Sequence, residues 1–231
     1  MKTFGARPEQ VPETAPATLR RARRSDVPLV ARALEMSGRG HLERGPWDLM
    51  FPDAQERRRA LEYITGDAPL SWCHHSLFHV AEVGGQARAA LIAFDARDFG
   101  DTSLTAPLLE TFALLGWPHE RMEAVGPMLA PYLACFPDMP PGVWIVENVA
   151  TAAEYRRHGL VRDLLERALA EGRRRACQTA QISCLIGNDA AQRAYERAGF
   201  ESVEELCSSE FEKLIGVPGF LRMTRPLAET A

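Results

Sequence analysis

The chain has 231 residues, 46% of them hydrophobic and 25% charged, which suits a soluble fold of one or two domains with a sizeable core. A net charge of −4 gives no general attraction to nucleic acid or anionic lipid, and no apolar run approaches the roughly twenty residues of a membrane span, so neither partner is expected. Five cysteines, an odd number without a C-x-x-C pair, argue against a disulfide framework or a structural zinc site. The opening MKTFGARPEQ has no apolar signal-peptide core, and a cytoplasmic location is expected. Residues 1–16, with Pro8, Pro12 and Pro16 among polar and small residues, read as a mobile tail.

A single domain over residues 17–228 is expected to follow. Thr18 to Ala22 reads as a short strand, and Ser25-Asp26 as the N-cap of a helix with Val27, Val30 and Leu34 on one face. A charged helix is predicted from about Asp53 to Ile64, with Leu61 and Ile64 inward and Gly66 at its end. Cys73-His74-His75 invites a metal, but read as a strand its side chains point to alternate faces, so no metal site is expected. Trp47, Trp72 and Trp117 are weak candidates for a substrate pocket and more often core residues. Leu77 to Val83 and Ala87 to Phe94 flank Gly84-Gly85, a strong hairpin signal expected at the antiparallel centre of a sheet. Within residues 97–141, Leu108, Leu109, Phe112 and Leu115 predict one helix, with Pro107 in its first turn and Gly116 at its stop. Met122, Val125, Leu129 and Leu133 predict a second, interrupted at Pro127 and Pro131. This helical insertion reads equally as a lid, a substrate-pocket wall or a homodimer surface.

Residues 142–201 carry the chemistry. Val143 to Val146 is an apolar, β-branched strand continuing through Val149, and Glu147 is its only charge. Leu160, Val161, Leu164, Leu165, Ala168 and Leu169 mark an amphipathic helix starting near His158. Its N-terminal N–H groups, Arg156 and Arg157 together suit a phosphate. Asn188 stands as N-cap to a second helix from Ala190 to Ala198 that carries Tyr195. Two strands, Phe200 to Cys207 and Gly219 to Thr224, close the chain around the connection Ser208 to Pro218.

Arg156-x-x-Gly159-x-Val161 resembles the (Gln/Arg)-x-x-Gly-x-(Gly/Ala) signature of the GNAT superfamily of N-acetyltransferases, with Val161 departing from the usual small residue. Asn188-x-x-Ala191-x-x-x-Tyr195-x-x-x-Gly199-Phe200 resembles the same family's second hallmark, in the right order and about thirty residues on. The resemblance implies an α/β fold with a mixed sheet of about seven strands flanked by helices, the insertion preceding the fourth strand. It implies acetyl-coenzyme A as acyl donor, held by Val149, Ala150 and Thr151 at the strand end, by Arg156, Arg157, His158, Gly159, Leu160 and Val161 in the loop, and by Asn188, Ala191 and Tyr195. The activity it implies is acetyl transfer to a primary amine of a small molecule, peptide or protein by direct attack in a ternary complex. Glu147 would be the general base, against a reading as a paired structural charge. Tyr195 would be the acid for the departing thiolate, against a reading as packing. The other class left open is a non-catalytic protein of this fold that binds acyl-coenzyme A as a sensor or scaffold.

Overall fold

The computed structural model describes residues 16–99 and 103–227, so nearly all of the expected N-terminal tail lies outside the described residues. One sheet of seven strands organises the chain, in the order β1 (Thr18–Arg21), β2 (Phe78–Val83), β3 (Gln86–Asp95), β4 (Val143–Thr151), β5 (Thr179–Leu185), β7 (Gly219–Pro226) and β6 (Glu201–Cys207). Only β4 and β5 pair in parallel. The β2–β3 hairpin forms on Gly84 and Gly85, both at positive φ (61° and 76°), as a two-residue turn matching strand twist requires. It is not the centre of the sheet, which is β4. The helix crossover between β4 and β5, and the insertion of β7 between β5 and β6, put three strands beyond β4.

Alternation along β3 separates two cores. Ala90, Ile92 and Phe94 face one cluster, together with α1 (Val27–Arg39), α2 (Pro46–Met50), α3 (Ala54–Gly66) and the insertion helices α4 (Thr105–Leu114), α5 (His119–Glu123) and α6 (Val125–Ala134). Ala89, Leu91 and Ala93 face the other, covered by α7 (Leu160–Arg174) and by Tyr195 of α8 (Asp189–Arg197). A third, smaller cluster joins α9 (Ser209–Ile215) to Tyr132 and Phe136 of the insertion.

Several local expectations shift. Asp26 stands at the N-cap of α1, but its carboxylate does not bond the helix; it accepts from the Arg23 N–H (2.7 Å) and from Arg20 (2.6 Å), closing a 3₁₀ turn ahead of it. Asp53 caps α3, which runs through Gly66, with Leu61 and Ile64 buried. Cys73 to His75 form a turn and the start of a 3₁₀ helix, not a strand. The break in the second half of the insertion falls at Ala124, between α5 and α6, because Pro127 sits in a first turn where its missing N–H costs nothing; Pro131 stays inside α6. The insertion is anchored, with Phe112, Trp117 and Leu129 in the first core. The connection between β6 and β7 contains α9, capped by Ser208, whose Oγ accepts from the Phe211 N–H at 3.0 Å, with Phe211 fully buried.

Candidate functional site

The site begins where β4 and β5 part. Their ladder runs from Val143–Thr179 to Val146–Ile182 and stops there; β4 stays on β3 as far as Thr151, while β5 stays on β7 as far as Leu185. The first residues past the fork are Glu147 and Ser183, opposite each other by the parallel register. At the same point β4 is bulged: two residues, Asn148 and Val149, lie between Glu147 and Ala150, whereas their partners Ile92 and Ala90 enclose one, and Asn148 adopts φ 54°. Such a bulge bends the strand and re-aims its side chains. Ser37 of α1 donates to Asn148 Oδ1 at 2.8 Å and fixes the bulge from the first-core side.

Burial governs the electrostatics of Glu147. Desolvation pushes its carboxyl up to about 7, against the opposing help of a hydrogen bond from Ser183 Oγ to Oε1 (2.9 Å) and of the Asn148 N–H. A carboxylate at that value changes charge near neutral pH, which suits a base. Burial likewise raises the Tyr195 hydroxyl, with Cys184 and Glu147 adding to it, so the phenol holds its proton. Its ring meets Phe200 edge-on at 6.5 Å, and its hydroxyl has no hydrogen-bond partner among the described residues.

On the second-core side, the loop from Arg156 to Gly159 turns into α7 through two left-handed residues, Arg157 (φ 66°) and Gly159 (φ 81°). The helix therefore starts at Leu160, close to where the sequence placed it, and no side chain caps it. Its first-turn N–H groups face outward as donors, with exposed Arg156 and Arg157 beside them, which is the chemistry of an anion site. A Cβ on Gly159 would meet nothing closer than the Arg162 guanidinium at 3.5 Å, so the space beside that turn is open. Val161 is partly buried against the second core. Asn188 Oδ1 accepts from the Ala191 N–H at 3.3 Å, making it the N-cap of α8.

A cavity of about 1320 Å³ joins these parts through the fork, from one face of the sheet to the other. Every catalytic or cofactor-binding candidate from the sequence is on its wall except His158, whose Nδ1 bonds the Arg156 carbonyl at 2.8 Å. Thr151 Oγ1 and Asn148 Nδ2, buried atoms of two wall residues, have no hydrogen-bond partner among the described residues. Sequence reasoning missed Ser183. Its one signal is a hydroxyl in the middle of the buried run Ala180 to Leu185. Trp47 and Trp72 line the cavity; Trp117 does not, being stacked on Phe112 at 4.5 Å with its indole N–H on Glu56 at 2.6 Å. Among the described residues no group of three His, Cys, Asp or Glu side chains could hold a metal ion, and no helix is long and apolar enough to cross a membrane.

Comparison with solved structures finds the same fold. One crystal structure of an acetyltransferase superposes with a TM-score of 0.66 at 17% identity, covering 91% of this chain and 100% of its own. An N-acetyltransferase from Staphylococcus aureus Mu50 gives 0.62 at 20% identity, with 90% and 100% covered. Salmonella typhimurium yncA, solved with its cofactor acetyl-CoA, gives 0.51 at 16% identity, with 94% and 97% covered. No curated protein sequence matches the chain. Residues 47–200, which span the fork, the uncapped helix and α8, match the acetyltransferase (GNAT) family, whose acyl donor is acetyl-CoA, and the chain belongs to that family.

Proposed function

We propose that the protein transfers acetyl from acetyl-CoA to a primary amine by direct attack, with Glu147 as general base and Tyr195 as general acid. The observation that carries this reading is the pairing, on one cavity wall, of a carboxyl pushed by burial up to about 7 with a tyrosine hydroxyl that has no hydrogen-bond partner among the described residues. The uncapped start of α7, Arg156 and Arg157 would hold the pyrophosphate. The open strand edge from Val149 to Thr151, left unpaired by the fork, would take the amides of the pantetheine arm. Bound there, the cofactor supplies an activated thioester.

Glu147 takes a proton from the ammonium, freeing a lone pair that forms the N–C bond to the acyl carbon. As the C–S bond breaks, Tyr195 passes its proton to the departing sulfur and takes back the second N–H proton that the nitrogen loses in becoming an amide, while the proton on Glu147 leaves to solvent. Ser183 holds the carboxylate of Glu147 at the fork. An acyl-enzyme route finds little support: Cys184 lies on the cavity wall, but burial, Glu147 and Glu196 push its thiol up to about 11, where the thiolate is scarce. The experiment is thiol release from acetyl-CoA across an amine panel, with wild type and Tyr195→Phe. The variant keeps the ring and its packing, so turnover falls roughly 10²-fold with acetyl-CoA affinity little changed. Acetyl-CoA binding without amine-dependent thiol release would favour the non-catalytic alternative, and wild-type turnover in Tyr195→Phe would remove Tyr195 as the acid.

A further inference from the structure

The cavity is electrically divided. Arg156, Arg157, Arg162, Arg193 and Arg197 all lie at the end formed by the phosphate loop, α7 and α8. The other end is built by α1, α2 and the insertion, and no lysine or arginine lines it among the described residues. Its walls are Trp47, Trp72, Leu108, Leu129, Phe136 and Met139. Two carboxylates border this half: Glu147 at the fork, and exposed Asp138, whose carbonyl is taken by Gln181 Nε2 at 2.8 Å.

The wall is a fixed surface. Glu56 of α3 binds the indole N–H of Trp117 and both ends of the Arg121 guanidinium (2.9 and 2.8 Å), and that guanidinium lies over the Trp117 ring at 3.6 Å. With Phe112 and Leu129 in the core, these contacts hold the insertion helices against the domain.

A ligand group seated at this end must match its lining. A carboxylate or phosphate there would be desolvated with no lysine or arginine to meet it, the exposed His41 after α1 being the basic side chain on that lining among the described residues, and a second ammonium would lack a buried acid. An aromatic or branched hydrocarbon body would meet indole and phenyl rings and the deformable thioether of Met139. We propose that the acceptor is a lipophilic primary amine, an ammonium carried on an aromatic or bulky apolar body without an anionic group, whose body lies against the insertion and whose nitrogen meets Glu147. This inference rests on the amine-acetyltransferase reading above.

The test compares kcat/KM for 2-phenylethylamine, phenylalanine, ethylamine and putrescine, by thiol release at saturating acetyl-CoA, alongside calorimetry of acetyl-CoA binding. Phenylethylamine should exceed ethylamine by roughly 30-fold or more, the selectivity expected for burying a phenyl ring, and should exceed phenylalanine and putrescine as well. Leu108→Asp should lower kcat/KM for phenylethylamine roughly 10-fold while acetyl-CoA affinity stays unchanged, with Met139→Asp as a second variant should the first not fold. A preference for ethylamine, phenylalanine or putrescine overturns this acceptor assignment and leaves amine acetylation standing. No thiol release with any amine overturns both.

Discussion

Replacing Ser183 by alanine removes one hydrogen bond and little else, and its consequence can be worked out from the fork. Ser183 Oγ donates to Glu147 Oε1 at 2.9 Å, favouring the carboxylate, while burial opposes it and sets the group at about 7. A hydrogen bond to a charged group is worth about 1.5–3 kcal/mol, and each pH unit corresponds to about 1.4 kcal/mol, so its loss should raise the Glu147 value by roughly one to two units. As the proposed base, Glu147 would work deprotonated, so the acidic limb of kcat/KM, expected near pH 7 in the wild type, should move up by that amount in Ser183→Ala. At pH 7 the deprotonated fraction falls from about one half to between roughly 10% and 1%, lowering kcat/KM about 5- to 50-fold. Above about pH 9 the deficit should shrink towards nothing. The assay is a pH series of kcat/KM by thiol release, with Ser183→Thr as the control that restores a hydroxyl and the limb. A loss of the same size at every pH, or an unmoved midpoint, would refute the reasoning and leave Ser183 a packing residue.

Glu147→Gln should remove that limb and shift activity to high pH, where solvent deprotonates the amine. Because the folded-state value of Glu147 is raised from 4.5 to about 7, carrying its charge costs stability only as pH rises through that window; Glu147→Gln should therefore be more stable than wild type by about 2–3 kcal/mol at pH 8 and unchanged at pH 4, read by denaturant unfolding. Gly159→Glu places a side chain at φ 81° and a negative charge beside the uncapped helix, so calorimetric acetyl-CoA affinity should fall at least roughly 10²-fold while far-UV circular dichroism stays native. Gly219→Ala puts a Cβ at 1.8 Å from the Leu206 carbonyl oxygen on the neighbouring strand β6, and thermal unfolding should show a loss of about 1–3 kcal/mol.

The sequence by itself determined the features that depend on local chemistry. Gly84-Gly85 specifies a hairpin because both turn residues need positive φ, and the apolar stripe of α7 specifies its packing because period and burial agree. The proposed anion site was legible as a candidate for the same reason: Arg156, Arg157, Gly159 and the first turn of α7 lie within a few residues of one another. Glu147 stood out as the lone charge in an apolar strand. What only the tertiary structure decided are relations between distant segments. Ser183 lies 36 residues from Glu147, and only the parallel register that ends at Val146–Ile182 sets them face to face. The bulge at Asn148 arises from pairing with β3, which no property of residues 147–150 alone announces. The insertion's role was equally closed to the sequence, since helical periodicity gives an apolar stripe but not its partner. Here Phe112, Trp117 and Leu129 enter the first core, and Leu108 and Met139 are left to line one end of the cavity. Local propensity and pattern fix elements; the contacts that make a site are made between elements, and their geometry follows from how the sheet closes.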